Sequence, residues 1–256
     1  MQLQLIRHAT LLLEYAGLRL LVDPMLNDAG AAPPIENSPN QKPNPLVPLP
    51  GPVAEVVNEI QAVLVTHTHR DHWDDAAIQL LPKDLPLFCQ PEDQAKMESL
   101  HFVNVAPVHK SRNWSHICIT RTGGQHGTGE IGRKMAPVSG YMMQAAGEHT
   151  LYIAGDTIWC PEVEEAIARF QPEVIVVNAG GARFLHGDPI TMTADDVIHA
   201  CRAASGAQVV AVHMEAINHC LLSRDELARQ AHKAHVKVII PEDGEMFSFG
   251  GGAAAV

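Results

Sequence analysis

The chain has 256 residues, 46% of them hydrophobic and 18% charged, a composition with ample material for a folded core. Its formal net charge of −11 and lack of a long basic run argue against binding nucleic acid through its surface at large. Five dispersed cysteines with no CxxC pair read as reduced thiols rather than a disulfide frame, and no apolar run reaches a membrane span of ~18 residues. With no basic-then-apolar leader at the start, the expectation is a soluble, cytoplasmic protein.

In chain order, "LQLIRH", "TLLLEY" and "LRLLVD" read as three short strands, split at Ala9 and at Ala16-Gly17. Residues 27–52 hold eight prolines and read as a long irregular loop, either functional or disordered. Alternation follows: strand 62–66, helix 74–81, strand 85–89, and a helix over 91–100 that starts on a proline. Strands are expected at 116–122, 140–146 and 150–155. Next come helix 161–170, strand 173–178, helix 193–204, strand 208–213, helix 223–235 and strand 236–240. Thr193 with Asp196 and Ser223 with Glu226 are capping-box signals. The organisation is one domain over 1–250, with 251–256 as a flexible tail.

The densest chemistry lies in "VTHTHRDH", residues 65–72, which follows an apolar strand. Past a strand end, residues two apart point the same way, so His67 and His69 can aim at one point while Asp71 and His72 reach a neighbouring one. Imidazoles with a carboxylate suit a borderline cation such as zinc, manganese or iron. A capped helix start would explain Asp71 or Asp74, but not three histidines. Other strand ends carry His126 in "TGGQHG", Asp156 in "IAGDT", His213 in "AVHME" and Asp23 in "LLVDP", and functional groups of α/β proteins gather beyond strand ends.

Together these stretches resemble the metallo-β-lactamase fold superfamily of metal-dependent hydrolases. The resemblance runs from "RHATLLLEYAGLRLLVDP" through "VLVTHTHRDHWD", "GGQHG" and "YIAGDT" to "AVHMEAINH". The first and last stretches look most like the small branch with the L-ascorbate-6-phosphate lactonases and the N-acyl-phosphatidylethanolamine phospholipase D group. The resemblance implies an α/β fold, a four-layer αββα sandwich of two mixed sheets flanked by helices. It implies two divalent metal ions, zinc first and manganese or iron as alternatives. One ion falls to His67, His69 and His126, the other to Asp71, His72 and His213, with Asp156 bridging and Asp23 orienting a ligand histidine. His126 is preferred over the nearby His109 and His116 because a strand end delivers it between glycines.

The implied chemistry is hydrolysis of an ester-like bond of a small molecule, a lactone or phosphodiester first, by a metal-bridged hydroxide, with Asp71 or Asp156 relaying the proton. His8, His186, Asp188 and His219 are candidates for the substrate or the support of the site, each against a plain core or turn role. Trp73 and Trp159 stand beside proposed ligands, where packing is the commoner role. A diiron flavoprotein of similar fold would need a flavin domain, and usually carries glutamate where His69 stands here. Two further alternatives are a tRNA-processing nuclease, disfavoured by the acidic charge, and a non-catalytic metal-binding protein, disfavoured by the complete ligand set. A homo-oligomer is compatible with all of this.

Overall fold

The computed structural model describes residues 1–250, so the expected tail 251–256 lies outside the described residues. The chain opens as a meander of β1 (Gln2–Arg7), β2 (Thr10–Tyr15) and β3 (Leu18–Val22). Ala16 and Gly17 turn between β2 and β3 with φ of 53° and 74°, the left-handed pair that matches the twist of a two-residue hairpin. Beyond the Pro-rich stretch come α1 (Val53–Val57), β4 (Ala62–Leu64), α2 (Asp75–Leu80) and β5 (Leu87–Cys89). A 3₁₀ turn at Pro91–Asp93 leads into α3 (Gln94–Ser99), then β6 (Val105–Pro107).

The second half holds β7 (Ser111–Trp114), β8 (Ile117–Thr122), α4 (Gly129–Met135), β9 (Gly140–Gln144) and β10 (Leu151–Ile153). It continues with α5 (Pro161–Phe170), β11 (Val174–Asn178), α6 (Ala194–Ala203), β12 (Gln208–Val212) and α7 (Arg224–Lys233). β13 (Met246–Ser248) then returns to pair with β1.

Two mixed sheets result, in the orders β13-β1-β2-β3-β4-β5-β6 and β12-β11-β10-β9-β8-β7. The side-chain period of two sorts each strand between two cores. Leu11 and Leu13 of β2 meet Ile117, Ile119, Val174 and Val176 between the sheets. Leu12, Leu21 and Val63 point the other way, onto Val56, Ala77 and Met97 of α1, α2 and α3. Tyr152, Ile175 and Val177 face Val163, Val197 and Leu227 of α5, α6 and α7. At about 1.5–3 kcal/mol for each fully buried aliphatic side chain, these three apolar layers dominate stability and set the αββα order. Among the described residues, no helix is long and apolar enough to cross a membrane.

Two local readings change. "VKVII" is not a strand: it touches its neighbour through a single bridge, Val210 to Ile239. The short elements α1, β6, β7, α4 and β13 were not legible, because a few residues carry too little periodicity. The Thr193 capping box is complete, with Asp196 reaching back to the Thr193 N–H. Ser223 accepts from the Glu226 N–H, and the Glu226 side chain instead accepts from Gln230.

The Pro-rich stretch is irregular, as its composition predicts, yet it is packed. Ile35 and Val47 join Met25, Ala216 and Ile217 in a small hydrophobic cluster of their own. Asn218 ties the stretch down: its amide oxygen accepts from the Ile35 N–H at 2.9 Å and the Asn44 amide at 2.7 Å, and its amide nitrogen donates to Ser38 Oγ at 2.6 Å.

Candidate metal centre

All the proposed ligands sit past strand ends on one edge of the sandwich. β3 and β4 are parallel with Val22 level with Leu64, so the residues beyond them stay side by side. Asp23 there accepts from the Thr66 N–H at 2.7 Å and from Thr66 Oγ1 at 2.7 Å. Glycines let the His126 loop approach the Asp156 loop. A Cβ on Gly124 would lie 3.0 Å from Thr157, and one on Gly127, at φ 98°, would lie 2.8 Å from Ile190. Gln125 and Ile158 then join by backbone hydrogen bonding at 2.9 Å.

The two sheets meet at His8 and His213, where the His213 N–H donates to the His8 carbonyl at 2.8 Å. Both residues, like Asp23, hold positive φ (61°, 71° and 43°), a conformation that costs energy in a non-glycine residue.

His67, His69, Asp71, His72, His126, Asp156 and His213 converge. Ligand atoms of His67, His69 and His126 lie within 4.8 Å of one another, and so do those of His8, Asp71, His72 and His213. A third such group joins His67 and His72 through Asp156. Asp156 Oδ2 lies 3.9 Å from His67 Nε2, 3.3 Å from His72 Nε2 and 3.5 Å from His126 Nε2, between the two histidine groups.

Ring protonation tests whether a cation fits. His126 Nδ1 faces the Ile190 carbonyl at 2.7 Å, and a carbonyl only accepts, so Nδ1 carries the proton. His72 Nδ1 faces the Asp23 carboxylate at 2.9 Å with the same consequence. Thr66 Oγ1 gives its proton to Asp23 and so accepts from His67 Nδ1 at 3.1 Å. His67 and His126 are thereby left with Nε2 lone pairs turned into the cluster, that of His67 beside His69 Nδ1 at 2.9 Å and that of His126 facing Asp156 Oδ2 at 3.5 Å. Acceptor facing acceptor in a buried site is repulsive, and a divalent cation among them removes the conflict. The donor set fits a metal.

The titration behaviour of His67 and His126 agrees, while His72, among three carboxylates, takes a second proton where no cation holds its Nε2. Burial, then the neighbouring His72, holds His67 well below its usual range, and burial pushes His126 down to about 4, so both stay neutral donors. Burial alone would lower His72 too, but the Asp156, Asp71 and Asp23 carboxylates outweigh it and raise the group to about 10. Burial likewise works against charge on Asp71 and Asp156, yet the surrounding histidines hold both carboxyls well below the usual range. These buried carboxylates give the pocket a negative field that a cation satisfies.

The remaining candidates divide. His8 is buried against Asp71 Oδ2 at 3.2 Å and stacks on His213 with ring centroids 3.6 Å apart. His219 is buried beside Phe184, outside the converging groups. His186 and Asp188 are exposed, and Asp188 accepts from Thr128 Oγ1 at the start of α4. Trp73 packs on Phe102, and Trp159 packs beside His199. His109 and His116 are exposed, and His116 donates to the Ala16 carbonyl.

Residues that sequence reasoning passed over complete the site. Asn178 donates to Asp156 Oδ1 at 2.6 Å, and it too ends an apolar run, the same signal that marked the ligands. Cys220, read as a core thiol, lies 3.6 Å from His213 Nδ1. Burial would raise that thiol, but His213 and His219 outweigh burial and lower it. Nothing local in the sequence marked this contact.

A family model described as the beta-lactamase superfamily domain matches residues 18–214. The chain belongs to the beta-lactamase superfamily. It is a metal-dependent hydrolase of the metallo-β-lactamase fold, with a His/Asp cluster able to bind metal. Superfamily members similar to it include the UPF0173 protein YddR of Bacillus subtilis, 37% identical over 97% of this chain and 100% of that protein. An isothiocyanate hydrolase from Delia radicum gut bacteria is 38% identical, with a TM-score of 0.93 over 98% of this chain and 100% of that one. A possible metal-dependent hydrolase from Veillonella parvula is 35% identical, with a TM-score of 0.94 over 97% and 99% of the two chains.

Proposed function

We propose that the protein is a dinuclear hydrolase that adds water to an electrophilic carbon of a small molecule, with the isothiocyanate group as its leading substrate class. The observation that carries this reading is the full-length similarity to the isothiocyanate hydrolase, whose sequence runs 38% identical. The converging lone pairs of His67 and His126 beside Asp156 supply the chemistry it requires. Two divalent ions, zinc first, would be held by His67, His69 and His126 and by Asp71, His72 and His213, with Asp156 between them. Cations so placed supply Lewis acidity, which lowers the pKa of water towards ~7 and stabilises developing negative charge.

The chain's own residues do the rest. Asn178 fixes the plane of Asp156, and Asp23 fixes the ring of His72. Asp71, with one oxygen held by His8 Nε2, sits at the edge of the cluster and is the group placed to take a proton from the attacking water. It returns that proton to the substrate nitrogen. The overall reaction balances as R–N=C=S + H₂O → R–NH₂ + COS: a C–O bond forms, the C–N bond breaks, and both water protons end on nitrogen.

Hydrolysis of an ester-like bond, a lactone first, is the second reading. Addition of water to the uncharged trigonal carbonyl carbon of a lactone uses the same residues. A panel of isothiocyanates, lactones and phosphodiesters, run on metal-reconstituted protein with amine and acid release measured, separates the readings. Amine release from isothiocyanates is the expected result. Lactone opening or phosphodiester turnover without it would transfer the function to the second reading, and turnover of none of the three classes would remove both.

A further inference from the structure

One cavity beside the histidine cluster has no role in the chemistry just described. It encloses about 330 Å³ and is walled by Pro33, Pro34, Ile35 and Pro45 of the Pro-rich stretch together with Met25 and Ile217. Asp71 lines it as well, and the same carboxylate stands 3.6 Å from His213 Nε2 and 3.8 Å from His72 Nε2. The cavity therefore ends on the metal centre. Its size is at the small end of ligand pockets, which run ~300–1,000 Å³.

The wall chemistry is selective. Proline and isoleucine side chains offer no hydrogen-bonding group, and the Asn44 amide in the lining is already paired with Asn218, so a polar substituent among them would lose its water without replacement. The charged groups of the lining are Glu36, Asp71 and Asp74 against the single cation of Arg70. Asp74 is occupied at the start of α2, where it accepts from the Ala77 and Asn27 N–H groups at 2.8 Å and 2.7 Å. With Asp71 committed to the ion it would hold and Asp74 to the start of α2, Glu36 and Arg70 balance in charge, so the lining offers an anionic substituent no net attraction. The wall is also preformed, because Asn218 holds Ile35, Ser38 and Asn44 in one arrangement, so little ordering entropy is lost on binding.

We propose that this cavity is the substituent subsite, that it takes an uncharged apolar alkyl or aryl group, and that Ile35 and Ile217 set its size. The subsite rests on the reading of the protein as a hydrolase of carbon electrophiles, and it adds which such molecules are accepted: those whose reactive carbon carries a compact apolar arm and no phosphate or carboxylate.

The test uses the metal-loaded full chain, its Ile35→Phe variant, which narrows the cavity, and Ile35→Ala, which widens it. Ile35 is only half-buried, so both variants should fold, and metal content per chain checks that the centre is intact. With methyl, benzyl and para-carboxyphenyl isothiocyanates, kcat/KM of the parent should favour benzyl over the carboxylated compound by at least ~10-fold. Ile35→Phe should lower kcat/KM for benzyl by ~10-fold while methyl changes by less than ~2-fold, and Ile35→Ala should shift the preference towards bulkier arms. A second arm is independent of turnover: calorimetric binding of benzyl alcohol. Benzyl alcohol should bind the parent and bind Ile35→Phe more weakly. If isothiocyanates are not hydrolysed but that binding pattern holds, the electrophile reading fails and the subsite stands. If benzyl alcohol binds parent and Ile35→Phe equally, or the carboxylated compounds are preferred, the subsite is wrong.

Discussion

Asn178 donates its side-chain N–H to Asp156 Oδ1 at 2.6 Å, while the other oxygen of Asp156 faces His67, His72 and His126. The anchored oxygen also faces His213 Nε2 at 3.2 Å, so one carboxylate touches all four of these histidines while Asn178 holds its orientation. The anchor comes from the end of β11 and the carboxylate from the end of β10, parallel neighbours in one sheet, so the backbone itself sets their separation.

Removing that anchor tests its share in metal binding. Asn178→Ala should weaken metal affinity by ~10–100-fold, the range for lost support of a ligand. Competition with a chromogenic chelator measures it. Unchanged affinity would mean that the Asp156 geometry is held by the histidines alone.

Asp156→Asn should be more severe. An amide keeps the shape but removes the charge between the histidine groups, so elemental analysis should show loss at both sites while circular dichroism stays that of the parent. A variant retaining both ions and full turnover would place the bridge elsewhere.

Metal content offers the most direct check. The parent should carry close to two ions per chain after reconstitution, and chelation should abolish activity and lower Tm. The Tm shift follows because ligands that bind only the folded state stabilise it. A protein that never takes up a transition metal would remove the mechanism entirely.

The tether of the Pro-rich stretch should separate substrate binding from metal binding. Asn218→Ala strips the acceptor from the buried Asn44 amide nitrogen, at a cost of about 1–3 kcal/mol for a buried group left unsatisfied. KM should rise while metal per chain stays constant. Replacing residues 30–48 with a short Gly/Ser linker should move KM and substrate choice further in the same direction. Equal KM and selectivity in both variants and the parent would make the stretch a bystander.

The sequence by itself determined the parts whose signals are local. Period-two apolar runs named most strands, Thr193 and Ser223 marked helix starts, and histidines and aspartates past strand ends named the cluster. Those signals are legible because a strand end and its next few residues have one geometry wherever the strand sits in the sheet. Tertiary structure decided what depends on pairs distant in sequence: that Asn178 meets Asp156, that Cys220 meets His213, and that His8 and His213 join the two sheets. It also decided that a proline-dense loop is a packed wall and not a loose one. Eight prolines stiffen a chain without saying where it lies. The Asn218 amide, more than 170 positions away from Asn44, supplies the contacts that place it.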